Sequence, residues 1–356
     1  MKQQIIDLWK ESFGDSDEFI QLYFDRVYSD DHTLVIKKNG TVISALQILP
    51  YEMTYCGTTI PVGYICGVCT LPSEQRKGFM KQLMFMALEE MRKRNYALAI
   101  LIPASPRLFD YYRRFDFANA FDYSIEEMSL INPTNHPVSN LHIRLHKELS
   151  PDTLYAYYHL KQSVCDCTVQ HSAYRFETIC LDWMLGKGEL WMAFRNELPV
   201  GLAFTMITDH ETLSIREIMV ENAETKNALV QSVLNHHQLP KAILRLPPTL
   251  SKSIPYGMAR IINKEQMIDL YRTSHIGVQS SRFKVQSPTA RRSILATPYN
   301  YCYDIFRRSV DATPSSRMFP IQSLNFPDLT NLDLPHLTQI LLKYEQRQAF
   351  MNMMMD

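Results

Sequence analysis

The sequence predicts an α+β fold in which helices and antiparallel strands alternate and one order of elements occurs twice. Two observations carry this prediction. The hydrophobic period changes repeatedly between the helical value of about 3.6 residues and the strand value of 2. An order of two helices, three strands, a helix and a strand then recurs in weaker form after about residue 150, which indicates a diverged internal repeat.

The bulk composition allows a large hydrophobic core and gives the chain no formal net charge. Of 356 residues, 46% are hydrophobic, and Lys plus Arg equals Asp plus Glu at 37 each. A balanced charge gives no general attraction to nucleic acid or anionic lipid, so we expect neither partner. The N-terminus lacks the features of a signal peptide and no apolar run reaches about 18 residues, so we expect a cytoplasmic protein. Seven cysteines, an odd number, fit reduced thiols.

The first unit begins with two amphipathic helices and continues as a sheet. Gly14 ends the first helix, and Asp15 or Ser16 can cap the second. β-rich runs between residues 32 and 72, with turns at Asn39-Gly40 and Cys56-Gly57, predict a three-stranded antiparallel meander. A helix over 78–94, a buried strand in ALAILIP, a short helix over 106–114 and two strand-like runs over 117–130 follow.

The second unit repeats this order less clearly. A helical stretch over 151–164 leads through ETICLDWML to three strand-like runs, the helix ETKNALVQSVLNHH and the strand KAILRLP. From about residue 276 the composition becomes polar, with Arg and Pro, and the chain ends in a helical LPHLTQILLKYEQRQAF and the tail MNMMMD. We therefore predict three domains, over 1–135, 136–275 and 276–356.

Two cysteine groups have spacings that occur in metal sites. Cys66 and Cys69 form a CxxC, but no second pair completes a zinc site, and positions three apart in a strand face opposite sides. The group of Cys165, Cys167 and His171 is equally incomplete. Both groups are therefore predicted to be structural, with no metal bound.

The stretch QRKGFM, Gln75 to Met80, has the features of a phosphate site. It follows a strand-like run and opens an amphipathic helix, whose N-terminal N–H groups and partial positive charge favour anions. Gly78 lets the backbone approach a ligand closely, whereas a basic surface turn is the simpler alternative. The matching place in the second unit reads MVENAETKNAL, with two glutamates and no glycine, so we expect no anion there.

The run VCTLPSEQRKGFM resembles motif A of the GNAT acetyltransferases, whose Q/R-x-x-G-x-G/A loop holds the pyrophosphate of acetyl-CoA. Gln75 and Gly78 match, and Met80 stands in the place of a small residue. SPRLFDYYRRFDFANA resembles the family's "yY.r.GF" segment, with Tyr112 at the tyrosine that commonly protonates the leaving thiolate and Asp116 where glycine is usual. Two such units and a C-terminal region look like the Eis-type acetyltransferases, in which the third region is sterol-carrier-like. Here that region would be trimmed.

This resemblance implies an α+β fold of tandem GNAT domains and a set of site residues. Tyr112 is the implied acid, and the α-carboxylate of Asp356 is the implied base, with Asp122 and Glu126 as weaker alternatives that would also suit a cationic acceptor. Backbone N–H donors for the oxyanion are implied on the strand from Ile65 to Thr70. The residues implied to bind acetyl-CoA are Ile65, Cys66, Gly67, Val68, Cys69, Thr70, Gln75, Arg76, Lys77, Gly78, Phe79, Met80 and Lys81.

The function implied is acetyl-CoA-dependent N-acetylation of a primary amine on a small molecule or peptide. Such an amine has a pKa near about 10.4, so it must lose a proton before it attacks, and the departing thiolate needs an acid. A non-catalytic acyl-CoA-binding regulator or scaffold is the alternative, favoured by Met80 and Asp116. Transfer of a larger acyl or aminoacyl group is a third reading. Eis-type enzymes are hexamers, so the resemblance also allows a homo-oligomer.

Overall fold

The computed structural model describes residues 1–131, 140–248, 253–283 and 329–343. For 275–283 it describes the backbone only. The helices within these ranges are α1 (Lys2–Phe13), α2 (Asp17–Arg26), α3 (Phe79–Lys93), α4 (Pro106–Arg113), α5 (Pro151–Ser163), α6 (Ala173–Leu185), α7 (Ala223–His237), α8 (Lys264–Phe283) and α9 (Leu334–Lys343). None of these helices is long and apolar enough to cross a membrane.

The strands join into one twelve-stranded sheet with the order β1-β2-β3-β4-β12-β5-β11-β10-β9-β8-β6, and β7 pairs with β2. The β3–β4 and β10–β11 pairs are parallel and the others antiparallel. The strands are β1 (Thr33–Lys38), β2 (Thr41–Tyr55), β3 (Thr58–Thr70), β4 (Leu98–Leu101), β5 (Ala118–Ser129), β6 (Leu141–Leu145), β7 (Val169–Gln170), β8 (Glu189–Arg195), β9 (Leu198–Ile207), β10 (Thr212–Val220), β11 (Lys241–Leu246) and β12 (Ile254–Ile261).

The first two helices and the three-stranded meander form where the sequence predicts them. Gly14 ends α1 in the left-handed conformation, and the Ser16 side chain accepts the N–H of Phe19 at the start of α2. Gly40 and Gly57 have φ of 82° and 76° in the two turns of the meander, as the turn sequences predict. Two strands predicted over 117–130 are instead one strand, β5. It stays continuous because its first half pairs with β12 and its second half with β11.

Strand β12 is an element that the sequence pattern did not predict. It lies antiparallel between β4 and β5 and so completes the sheet of the first unit from about 120 residues downstream. Arg260 on this strand donates to Asp116 at 3.1 Å, and Asp116 has a φ of 61°. This ion pair gives the Asp116 side chain a partner in a backbone conformation that ordinarily favours glycine. The division into three domains stays a prediction, although β12 belongs by sequence to the predicted second domain.

The core lies on two faces of the first part of the sheet. The α1–α2 face buries Trp9, Tyr23 and Phe24 of these helices against β2 and β3. The α3–α4 face buries Leu83 and Met84 of α3 together with α4 and the opposite side of the same strands. Helices α3 and α1 therefore lie on opposite sides of β3.

In the second half of the chain, β8, β9 and β10 form an antiparallel meander that is followed by α7 and the parallel strand β11. The first half has the same connectivity in β1, β2, β3, α3 and β4. Helix α9 packs on β5 and β12. Of the predicted third domain, only 276–283 and 329–343 are among the described residues.

Candidate functional site

The N-terminus of α3 presents uncapped backbone donors. Gly78 is the N-cap residue with φ 88°, and among the described residues no side chain caps the first turn. A Cβ built on Gly78 meets no atom within 4 Å, so the space above the loop is open. Arg76 also has a positive φ of 63°. The first-turn N–H groups of α3 thus have no side-chain cap among the described residues, which is the arrangement that suits an anion.

The basic side chains of this loop differ in their partners. Lys77 donates to a Glu74 carboxylate oxygen at 2.9 Å and to the Ser73 carbonyl at 2.8 Å. Hydrogen bonds from Lys38 and Lys77 lower the pKa of Glu74. Arg76 makes no ion pair or hydrogen bond to any other described residue. Arg76 is therefore the basic side chain of the loop that can meet an anion without first leaving a partner.

Other predicted loop residues hold the loop against the sheet. The Gln75 side-chain amide donates to the Thr70 carbonyl at 3.3 Å, which ties the loop to the end of β3. Met80 is half-buried and packs against the core of the α3–α4 face. Its large side chain is accommodated by this core packing.

A β-bulge interrupts β3 within the predicted site. Ala45 pairs with Cys69 and Gln47 with Cys66, so Gly67 and Val68 both lie opposite Leu46. Gly67 takes a φ of 57°. A bulge removes residues from the regular ladder and is common beside active sites. The role of backbone N–H groups over 65–70 as oxyanion donors stays a prediction.

The bulge also corrects the expected placement of the CxxC cysteines. An uninterrupted strand would put Cys66 and Cys69 on opposite faces, but both pack against the core of the α1–α2 face. The extra residue in the bulge reverses the alternation between them. Burial raises the pKa of the Cys69 thiol to about 12. Six cysteines are free among the described residues, and no group of three or more His, Cys, Asp or Glu there is suited to a metal.

Tyr112, the predicted acid, lies on α4 and belongs to the core of the α3–α4 face, with 5% of its surface exposed. Its ring centroid is 5.7 Å from that of Tyr111 and 6.1 Å from that of Phe117. Burial raises the pKa of the Tyr112 phenol. The phenol is therefore protonated at neutral pH, and its role as an acid stays a prediction.

The predicted carboxylates are engaged by lysines from distant elements. Both Glu126 oxygens accept from Lys226 on α7, at 2.7 and 2.9 Å. Asp122 accepts from Lys343 at the end of α9 at 2.7 Å and from the Ser253 hydroxyl. These contacts connect the two halves of the sheet and its covering helix. Asp356, the predicted base, lies outside the described residues.

Helix α7 follows the meander of the second half as α3 follows that of the first half. The N-terminus of α7 has a side-chain cap, whereas that of α3 has none among the described residues. Asn222 is its N-cap residue, and the side-chain oxygen of Asn222 accepts the N–H of Thr225 at 2.8 Å. Glu224 lies in the first turn and would repel an anion. This difference in capping agrees with the sequence contrast between QRKG and ENAET.

Three side chains beside the bulge were not singled out from the sequence as site residues. A Cβ built on Gly67 would lie 2.7 Å from Cζ3 of Trp9 and 3.3 Å from Nε2 of Gln47. The Tyr23 hydroxyl donates to Gln47 Oε1 at 3.0 Å. Trp9 and Tyr23 lie on the apolar faces of their helices, a pattern that by itself indicates only core. A separate cleft of about 500 Å³, between β6, β8 and α7, contains no predicted site residue.

Comparison with known proteins finds a family model that matches the first part of the chain. Residues 2–120 match the model described as an acetyltransferase (GNAT) domain. This third of the chain is therefore similar to GNAT domains, a family that uses an acyl-CoA co-substrate. A search of curated proteins finds no match.

Solved structures of similar fold extend beyond the matched range. A probable N-acyltransferase of Enterococcus faecalis has a TM-score of 0.61 at 17% identity, over 73% of this chain and 70% of that one. A GCN5-related N-acetyltransferase of Anabaena variabilis has a TM-score of 0.58 at 17% identity, over 73% and 70%. Eis1 of Mycobacterium abscessus has a TM-score of 0.59 at 15% identity, over 76% and 73%. At these identities the likeness shows the fold.

Proposed function

We propose that the protein is an acetyl-CoA-dependent N-acetyltransferase that acetylates a primary amine. The observation that carries the proposal is the uncapped N-terminus of α3 at Gly78, within the part of the chain that is similar to GNAT domains. Arg76, Lys81 and the N–H groups over 76–80 would hold the pyrophosphate of acetyl-CoA. Tyr112 supports the same reading, since it lies on the same face of the sheet as α3.

The proposed reaction joins one amine nitrogen to one acetyl group. The deprotonated amine attacks the thioester carbonyl, a C–N bond forms, and backbone N–H groups of the bulge in β3 stabilise the oxyanion. The C–S bond then breaks, and Tyr112 donates its proton to the departing thiolate of CoA. The proton lost by the amine passes to water or to a base, and Tyr112 regains a proton from solvent. The products are the acetamide and CoA.

We infer that the second half is a degenerate GNAT-like copy that binds no acyl-CoA. The side-chain cap of Asn222 and the acidic first turn of α7 support this inference. The arrangement would resemble the tandem units of Eis-type enzymes. One chain would then bind one molecule of acetyl-CoA, and a calorimetric stoichiometry near two would contradict the inference.

The experiment that tests the proposal combines binding with turnover. Acetyl-CoA binding is measured by calorimetry, and release of the CoA thiol is followed with a panel of polyamines, lysine peptides, aminoglycosides and alkylamines. The proposal expects saturable binding and amine-dependent thiol release, with the acetylated amine visible by mass spectrometry. Binding without release from any amine would reject catalysis.

A non-catalytic acyl-CoA-binding protein is the second candidate, and one observation favours it. The indole of Trp9 packs directly on Gly67, on the side of the bulge away from α3. A side chain in this position narrows the path of an acceptor. Thiol release separates this candidate from the first, because both predict acetyl-CoA binding.

A further inference from the structure

The sheet ends at β6, and a cleft lies beside this last strand. In the described part of the chain β6 pairs with β8 alone, so its other edge has no strand partner there. The cleft of about 500 Å³ lies between β6, Trp191 of β8, and Ser232 and His236 of α7. An unpaired strand edge carries backbone N–H and C=O groups that can pair with a further chain.

Four consecutive residues of β6, 141–144, line the cleft. Successive side chains of a strand point to opposite faces, so one face alone cannot account for all four. Leu141 and Ile143 pack against the core that includes α7. The Arg144 guanidinium lies on the other face, over the Phe194 ring at 4.7 Å. The cleft therefore follows the backbone edge of β6 as well as the side chains that flank it.

The base of the cleft consists of side chains that hold one another in place. Trp191 is 5% exposed, and its Nε1 donates to Glu189 Oε2 at 2.9 Å. The same carboxylate oxygen lies 2.9 Å from His237 Nε2. The His236 ring packs on the indole of Trp191, with centroids 4.9 Å apart. A preformed cleft of this kind needs little reorganisation when a ligand enters it.

The charges along the cleft indicate the chemistry of a partner. The seven lining residues include His142, Arg144 and His236, and none of the seven is an aspartate or a glutamate. Arg144 donates from Nη2 to both carboxylate oxygens of Glu197, at 2.9 and 2.8 Å. The Glu197 side chain is 70% exposed, and such an exposed ion pair contributes little to stability. A carboxylate of a partner can therefore join or replace Glu197 at this guanidinium.

The same side chains argue against a second copy of this chain at the edge. Two β6 strands paired antiparallel about Ile143 would place His142 of each copy opposite Arg144 of the other. This arrangement contains no attractive charge pair, and it becomes repulsive when the histidine is protonated. An acidic strand would instead bring a carboxylate to Arg144.

We propose that the edge of β6 is a docking site for an extended, acidic peptide segment of a partner protein. The segment would add a strand to the sheet, with its backbone paired to residues 141–144, its carboxylates near Arg144 and its apolar side chains near Trp191. Helix α3 packs on β1, β2 and β3 at the opposite end of the sheet. The inference therefore goes beyond the proposed acetylation and does not depend on it.

Fluorescence anisotropy of the full chain with labelled peptides tests the chemistry of the partner. The probe is a fluorescein-labelled hexapeptide of alternating glutamate and valine, and its control has lysine in place of glutamate. We expect the glutamate peptide to bind at least about 10-fold more tightly, because a hydrogen bond to a charged group contributes about 1.5–3 kcal/mol. Equal binding of the two peptides, or binding of neither, overturns the proposal.

Two methylated forms of the glutamate peptide test strand addition. One form has N-methyl groups on the glutamate amides and the other on the valine amides, so each form loses the donors along one of its two edges. One form should bind at least about 10-fold more weakly than the other, because only one edge faces β6. Equal affinities of the two forms overturn the pairing with β6.

Two matched variants test the place of the charge. Arg144 and Arg195 both have side chains that are 34% exposed, and each forms an ion pair with a glutamate, but Arg195 does not line the cleft. Arg144→Gln should weaken binding of the glutamate peptide by about 10-fold, whereas Arg195→Gln should leave it within about 3-fold of the native value. Equal effects of the two variants would show general attraction between charges and would overturn the site.

NMR and sedimentation establish where the peptide binds and what else occupies the edge. The indole N–H signal of Trp191, assigned by its loss in Trp191→Phe, should shift when the glutamate peptide is added, whereas those of Trp9 and Trp183 should stay in place. Absence of a Trp191 shift places the peptide elsewhere and overturns the proposal. If the native chain sediments as a dimer that the peptide dissociates, a second copy occupies the edge, and the proposal is likewise wrong. Neither measurement requires acetyl transfer.

Discussion

Replacing Gly78 by glutamate should separate acetyl-CoA binding from folding. A Cβ at this position meets no atom within 4 Å, so the cost to stability is the left-handed backbone alone, about 1–2 kcal/mol. The new carboxylate would face the pyrophosphate. Two phosphate charges at about 6 Å, with an effective dielectric constant of about 60, repel it by about 2 kcal/mol, which weakens binding by about 30-fold. Gly78→Ala lacks this charge and should weaken binding by less than about 3-fold.

Calorimetric titration with acetyl-CoA measures both effects, and urea unfolding reports the stability of each variant. Gly40→Glu is the matched control, because Gly40 has a φ of 82° and equally open surroundings in the β1–β2 turn. It adds the same charge and similar strain away from the start of α3, so its affinity should stay within about 3-fold of the native value. If Gly78→Glu binds acetyl-CoA as tightly as Gly40→Glu does, the loop is not the pyrophosphate site.

Four further outcomes follow from the same structure. Tyr112→Phe should lower turnover by about 10- to 1000-fold at unchanged acetyl-CoA affinity. In the native enzyme, turnover should fall through ionisation of Tyr112 only above the ordinary tyrosine pKa of about 10, because burial raises the pKa of this phenol. Steady-state kinetics across pH check both expectations. Glu126→Gln should keep thiol-release rates within about twofold, since Lys226 already holds this carboxylate; a large loss would restore Glu126 as a base candidate. A chain of residues 1–131 should show no cooperative thermal transition, because it lacks β12, and a sharp transition by circular dichroism would contradict the pairing described above. Burial lowers the pKa of His171 to about 3, so the neutral ring is favoured in the folded state and stability should fall as pH drops below about 6.5; urea midpoints that fall as steeply in His171→Phe would exclude this histidine as the cause.

Local signals predicted most of the elements near the site. The capping residue Ser16, the hairpin glycines and the helix after Gly78 each depend on a few neighbouring residues, which sequence patterns record directly. The start of a helix at Gly78 was predicted in this way, whereas the Asn222 cap of α7 was not. The resemblance of QRKGFM to motif A supplied the co-substrate, which no local pattern could name.

Long-range pairing escaped prediction because its partners are far apart in the sequence. Strand β12 contains Pro255 and Gly257, which weaken a strand pattern, and its place between β4 and β5 depends on pairing across more than 130 residues. Glu126 was named as an alternative base without its Lys226 partner, because Lys226 lies 100 residues away in the sequence. The bulge at Gly67 was missed for a related reason, because only the partner strand reveals the extra residue.

The most direct measurement of the central claim is a crystal structure of the protein with acetyl-CoA. The account predicts one molecule per chain, with its pyrophosphate against the N–H groups over 76–80 and its thioester at the Gly67 bulge beside Tyr112. Acetyl-CoA bound at α7 instead, or a pyrophosphate that leaves the N-terminus of α3 empty, would contradict it.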